Sequence, residues 1–406
     1  MFSFHILKIT DRSFFTIALV AMFLFSSCGT RSKKIKIVIE ENTGISRNLE
    51  YIQIALPGYF EKFITLEEIG SDKLIYGEKL NGSPSRKEAG RYIFPITINA
   101  YEKKSFFVNV SKKKTKSSDL KITGKGMAIT IENNHFKANF GITNEKKAEG
   151  LYHGQLSTLF LKKKNVLFER DENNIHWSPN FQKEGLEYKT IGHLNNENTQ
   201  VTENNDYLFS FVKSGNVKGY EEIDLTGEYT FYSNLPYFTY SSNMQVNKNV
   251  TLTLLRNDEM TVNKIFTHII YPDTSGMVNY IALYNNPQLD SLTKLPLRDN
   301  LSWVGFINKE HEYGLISIRL IYDNSNLQGN TSPLYDPHTK ISLGDNEGRY
   351  WDRRLINDHI THVPKGSKYY ELNTYLVIED LDEIYGQIEY YKNCLQNPLK
   401  VSYYSE

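Results

Sequence analysis

The chain has 406 residues, and its 47 Lys and Arg balance 47 Asp and Glu, so the formal charge is 0. No global field draws it to nucleic acid or to an acidic polymer. With only two cysteines it is no disulfide scaffold, and a chain of this length can hold a core by packing alone. The 28 Tyr and 22 Phe suit the faces of β-sheets, and such rings also stack on sugars.

The first element reads as an export signal. Lys8 and Arg12 precede an apolar run from Phe14 to Phe25. That run is too short to span a bilayer as a stable helix, which needs about 20 residues. It ends in Leu24-Phe25-Ser26-Ser27-Cys28-Gly29. This ending resembles the lipobox of bacterial lipoproteins, in the relaxed form found in Bacteroidota. The resemblance implies a signal peptide over residues 1–27, acylation of the Cys28 thiol and a lipid anchor in a membrane. No acidic residue follows in Gly29-Thr30-Arg31-Ser32-Lys33-Lys34, which points to a periplasmic or outer-membrane location.

Beyond the leader, short apolar runs alternate with a period of two. Ile35–Ile39 is the first, and Phe106–Val110 closes a region over 32–110. Ser111-Lys-Lys-Lys-Thr-Lys-Ser-Ser118 has no apolar anchor and reads as a solvated linker. Met127, Ile129 and Ile131 lead through Asn133-Asn134 to Phe136, Ala138 and Phe140, a hairpin in which Asn supplies positive φ. Thr251–Leu255, Lys264–Ile270, Leu315–Tyr322 and Thr374–Ile378 are further strand candidates. The spacing predicts an all-β protein with few helices: a small N-terminal β-sandwich over 32–110 and a large C-terminal one over 119–400. One helix is predicted, with Leu381, Ile384, Tyr385, Ile388, Tyr391 and Leu395 on a common face. Asp380 with Glu383 reads as its N-terminal capping pair, and Cys394 falls near its apolar face.

Several segments resemble a family of Bacteroidota polysaccharide-utilisation lipoproteins with a domain of unknown function. They are Ile37-Val38-Ile39-Glu40-Glu41-Asn42, Ser46-Arg47-Asn48-Leu49-Glu50 and Arg91-Tyr92-Ile93-Phe94-Pro95 in the first region. In the second they are Ile129–Phe136, Gly154–Leu159, Ser332–His338 and Tyr350-Trp351-Asp352-Arg353-Arg354. The resemblance extends to ulvan oligosaccharide dehydratase. It implies that the larger domain is a β-supersandwich of galactose mutarotase-like outline. It also implies a lyase or dehydratase acting by elimination on uronate-containing oligosaccharides, without a cofactor.

Such elimination needs a group that neutralises the carboxylate, a base for the C5 proton and an acid for the leaving oxygen. The densest supply lies between residues 335 and 370. Arg353, helped by Arg349, is the candidate for the carboxylate, because a guanidinium fork matches two oxygens. His338 or His176 is the candidate base, and Tyr188 or Tyr335 the candidate acid. Trp177 and Trp351 are candidate stacking walls for a sugar. His359-Ile360-Thr361-His362 invites a metal, but no Cys or acidic spacing completes a site, so none is expected. A non-catalytic glycan-binding protein and a glycoside hydrolase with two facing carboxylates stay open. The expected partners are an oligosaccharide and the membrane, with no nucleic acid. Nothing in the sequence indicates an oligomeric state.

Overall fold

The computed structural model describes residues 34–59, 61–81, 90–111, 118–125, 128–140, 154–170, 174–194, 199–287, 296–343 and 347–405. The export signal with Cys28, and residues 112–117 of the predicted linker, lie outside the described residues. The chain is all-β, with one α-helix and one short 3-10 turn among the described residues.

Four sheets account for the strands among the described residues. The N-terminal sheet runs in the order Arg47–Leu56, Gly90–Ile98, Leu74–Lys79, Phe63–Glu68, Lys103–Val110, Ile35–Glu40, Lys400–Ser405. Ile52, Ile54 and Leu56 come from one end of that order, Ile37 and Ile39 from near the other. All five share a core with Phe94 and Phe106, so the sheet folds over on itself to bury one face. The last strand was not foreseen: predicted sandwiches ended at residue 400, yet Lys400–Ser405 pairs antiparallel with Ile35–Glu40. Leu399 and Val401 seat this returning segment against the N-terminal core.

A nine-stranded antiparallel sheet forms the middle layer. Its order is Thr199–Asn204, Leu208–Gly215, Ile223–Tyr232, Tyr237–Val246, Lys368–Ile378, Tyr313–Asp323, Trp303–Asn308, His268–Pro272, Val278–Ala282. Both faces are covered. Leu315, Val377 and Phe306 join the largest core cluster on one side. Their neighbours Ile316, Leu376 and Ile307 pack on the other side with Leu80 and Ile93 of the N-terminal sheet and Ile388 of the helix. Burial on both faces explains the nearly unbroken apolar run in Tyr313–Asp323, where a half-exposed strand would alternate.

Against the first face lie a five-stranded sheet (residues 121–169) and the sheet that holds Val250–Thr261 and Arg349–Ile356. The predicted hairpin is in the five-stranded sheet, with Ala128–Glu132 paired to Phe136–Asn139. Its turn does not use positive φ. The Asn133 carboxamide oxygen accepts from the backbone N–H of His135 and of Phe136, and its amide donates to Tyr232 and Leu235 carbonyls.

The helix spans Ile384–Gln396, and the expected capping pair does not form. Glu383 occupies the cap position itself at φ 54 with no side-chain cap bond. Asp380 instead accepts from the backbone of Asp382, closing a turn before the helix. Ile384 and Ile388 anchor the helix, while Cys394 is a half-buried free thiol whose burial raises its pKa.

Candidate active site

The site sheet runs Lys189–Thr190, Asn180–Lys183, Val250–Thr261, Arg349–Ile356, His338–Leu343, Leu297–Arg298. Its chemistry follows from one irregularity. Along Val250–Thr261, Arg256 faces Arg354, Asn257 faces Arg353, and the next pair is Met260 with Trp351. Two residues, Asp258 and Glu259, thus stand against Asp352 alone, which is a β-bulge. Asp258 takes φ 45, a left-handed conformation that Asp tolerates better than most side chains. The bulge sends the two adjacent carboxyls to opposite faces of the sheet.

Strand alternation identifies the faces. Trp351 and Leu355 join clusters shared with the nine-stranded sheet, and the Arg353 guanidinium lies 3.6 Å over the ring of Tyr322. Those three side chains face inward. Tyr350, Asp352 and Arg354 therefore face outward, beside their cross-strand neighbours Ser342, Lys340 and His338.

On the outward face, Asp352 sits between two guanidiniums. Arg354 Nε is 3.3 Å from one carboxylate oxygen and Arg256 Nε is 3.3 Å from the other. Arg354 also donates to Asn357 at 2.7 Å and Asp358 at 3.1 Å. Glu259 accepts from the amide of Asn180. Burial pushes the Glu259 carboxyl up to about 7, against the opposing pull of Arg256. Burial, with Glu259 next, holds the Tyr188 phenol well above its ordinary value, so it is a neutral donor at physiological pH. Burial, followed by Arg354, pulls the Lys340 ammonium down. Arg256, Arg354 and Lys340 thus gather around the Asp352 carboxylate on one face of the sheet.

The inward face carries a second polar cluster. Asp258 accepts from Arg319 Nε at 2.7 Å, Ser317 Oγ at 2.7 Å and Tyr375 OH at 3.2 Å. Glu371 accepts from the Asp258 backbone N–H at 3.0 Å and from Ser178 Oγ at 2.9 Å. Burial, and Asp258 after it, push the Glu371 carboxyl up to about 7. His176 bridges Tyr229 OH through Nδ1 and Tyr375 OH through Nε2, the latter at 3.1 Å. Tyr375 gives its own proton to Asp258, so His176 donates from Nε2 and accepts at Nδ1. Burial holds this imidazole neutral, its pKa pushed down to about 3.

The structure divides the predicted site residues between these faces. Arg353 is inward and pairs with the Asp299 carboxylate at 3.0 Å, so its fork does not reach the outward face. Trp351 has no exposed surface, stands edge-on to Phe306 and offers no wall to a sugar. His176 is likewise sealed inside. Arg349 donates to the Leu283 carbonyl at 3.1 Å and lies over Tyr284. Tyr188 and His338 are at the outward cluster. His338 Nδ1 donates to the Asp336 carbonyl at 2.7 Å, which leaves Nε2 as the reactive nitrogen. Trp177 is nearly buried, with the Arg170 guanidinium 5.6 Å from its ring centre. Tyr335 is exposed and stacks on His359.

Sequence reasoning placed Arg354 in the dense 335–370 region without giving it a role, and missed Arg256, Glu259, Lys340 and Asp352. Part of the signal was present. In Tyr350-Trp351-Asp352-Arg353-Arg354 the period of two sets Trp351 and Arg353 on one face, and the indole marks that face as buried. The bulge that turns Glu259 outward leaves no such mark.

No protein-family model matches this sequence, and no curated protein matches it either. Among solved structures, an α-mannosidase from Enterococcus faecalis V583 is similar, with TM-score 0.53 and 9% identity over 92% of this chain. A glycosyl hydrolase family 38 protein from Enterococcus faecalis has the same TM-score and identity over the same share. This chain spans 46% and 48% of those two proteins, about half their length. At such identity the likeness shows the fold alone. A galactose mutarotase-like protein from Lactobacillus casei overlaps 61% of this chain at TM-score 0.35, too slight a likeness to carry a conclusion.

Proposed function

We propose that this protein is a carbohydrate-processing enzyme and that the outward face of its site sheet performs elimination on uronate-containing oligosaccharides. One observation carries the reading: Arg256, Arg354 and Lys340 converge on the face that holds a carboxyl poised near neutrality, Glu259, and a neutral phenol, Tyr188. The cations neutralise the uronate carboxylate and so acidify the C5–H bond. Glu259 in its ionised form, or His338 through Nε2, takes the C5 proton. The C5–H electron pair forms the C4–C5 double bond as the C4–O bond breaks, and Tyr188 protonates the departing oxygen. The leaving group is water for a dehydratase or a sugar hydroxyl for a lyase. The resemblance to polysaccharide-utilisation lipoproteins supports this substrate class, and the fold shared with an α-mannosidase supports sugar as substrate.

The test is incubation with uronate oligosaccharides, read by absorbance of the conjugated product and by mass. Loss of one water supports dehydration, and chain shortening with an unsaturated end supports a lyase. A second reading has its own support, since Glu259 and Asp352 on one face supply the two carboxyls that glycoside hydrolysis uses. A new reducing end without unsaturation would favour it, and binding without any product would favour the glycan-binding alternative. The Cys28 sequence supports a lipid-anchored location, and Cys28→Ala should then move the protein from membrane to soluble fractions.

A further inference from the structure

Beside the outward cluster, two turns bring a pair of rings together on the surface. Tyr335 and His359 stack with centroids 3.6 Å apart and planes 15° apart. Tyr335 remains 43% exposed although His359 covers one of its faces, so the opposite face and the hydroxyl edge meet solvent. Both rings are held by the site sheet. Tyr335 donates its backbone N–H to Leu355 O at 2.9 Å and accepts from Asn357 at 3.2 Å, and His359 donates to Thr253 O at 3.0 Å. Asp336 and Asp358, one in each turn, take left-handed φ values of 48 and 47. Asn357 ties the turns together by donating to Asp336 at 2.9 Å. Arg354 reaches from the outward cluster to Asn357 and Asp358 in the second turn. A preorganised aromatic face thus lies one guanidinium away from the proposed reacting centre, rimmed by polar side chains.

An exposed ring so anchored has no packing role on its free face. Pyranose rings present an apolar C–H face and a polar rim, which matches an aromatic face bordered by carboxylates and an amide. We propose that the Tyr335–His359 pair is a stacking subsite for a second pyranose unit of an oligosaccharide whose reacting unit occupies the Glu259–Arg354 face. The inference rests on the reading of that face as a sugar site, and it makes the substrate an oligomer instead of a single sugar. Tyr335 then binds substrate and transfers no proton.

The test uses the whole protein and its Tyr335→Ala and Tyr335→Phe variants, with melting temperature as the check on folding. Each is run in native gels cast with ulvan, and each is assayed on uronate disaccharide and tetrasaccharide. Wild type should be retarded by ulvan and should bind tetrasaccharide more tightly than disaccharide. Tyr335→Ala should lose roughly 3- to 10-fold of the tetrasaccharide affinity, the size of one ring-stacking contact. That loss should appear in KM with little change in kcat, and Tyr335→Phe, which keeps the ring, should restore it. Equal retardation and equal length dependence in wild type and Tyr335→Ala overturn the subsite while leaving the proposed function standing. Retardation of wild type without turnover overturns the enzyme reading, and the Tyr335→Ala gel then decides the subsite by itself. A wild-type protein neither retarded nor active overturns both.

Discussion

The two faces of the site sheet carry nearly the same residue types and reach opposite ends. Inward, Asp258, Glu371, Arg319 and Arg353 are closed over by Trp351, Tyr375 and Tyr322. There the Asp258 carboxylate accepts four hydrogen bonds at 2.7 to 3.4 Å, one of them from the Trp351 indole. Outward, Glu259, Asp352 and Arg354 are themselves buried, and it is their neighbours Lys340 and Tyr350 that are half-exposed. The inward groups bond mainly to one another and so help specify how the sheets pack, although Glu371 Oε2, Arg319 Nη2 and Arg353 Nη1 have no hydrogen-bond partner. The outward face adds Lys340 and the neutral phenol of Tyr188 to its arginines and carboxyls, and that is the set the proposed chemistry on an anion uses. A charged residue in this fold is therefore read by its face before its type.

The sharpest break of that comparison exchanges one glutamate on each side. Burial holds both Glu259 and Glu371 at about 7, so glutamine imitates the protonated form of either. Glu259→Gln should lower turnover of uronate oligosaccharides by about 10²–10⁴-fold, the usual worth of a proton-transfer group. Glu371→Gln should not. Equal losses in both would place the reaction elsewhere.

The next contrast is in stability, read from urea unfolding. Arg319→Ala leaves Asp258 buried without its guanidinium and should cost about 3–5 kcal/mol. Trp351→Ala should cost a similar ~3–5 kcal/mol through the cavity it opens, as a core residue and not a sugar wall. Arg354→Ala leaves Asp352 its second partner, Arg256, and should cost less, about 1–3 kcal/mol. Reversal of this order would mean that the outward face, too, is chiefly structural.

A third contrast is a pH dependence. A carboxyl whose pKa rises from 4.5 to about 7 on folding binds more protons in the native state across that window. Its contribution to stability is full below 4.5 and is lost as pH rises through 7. His176 and His193, held near 3 and 4 by burial, act in the opposite sense, gaining stability as pH rises toward 6.5. The prediction therefore concerns a difference. Between pH 5 and pH 7.5 the Glu259→Gln/Glu371→Gln double variant should gain unfolding free energy relative to wild type. No relative gain would mean that both carboxyls ionise normally in the folded protein.

The period-two runs of Ile35–Ile39 and Phe136–Phe140, with the hairpin at Asn133-Asn134, already define an all-β chain, because alternation and turn chemistry are local properties. The helix at Ile384–Gln396 is legible for the same reason. Tyr188 and His338 are recognisable from residue type and neighbourhood. Four things belong to the tertiary structure alone. Lys400–Ser405 returns to a strand more than 350 residues earlier, a pairing that no local pattern encodes. Arg353 and Trp351 turn inward because the nine-stranded sheet covers that face. Glu259 turns outward because the strand bulges against Asp352. Burial, which only the assembled layers create, moves its carboxyl to about 7. Sequence sets which groups a strand can offer, while the sheet packed against it sets which of them meet solvent and in what charge state.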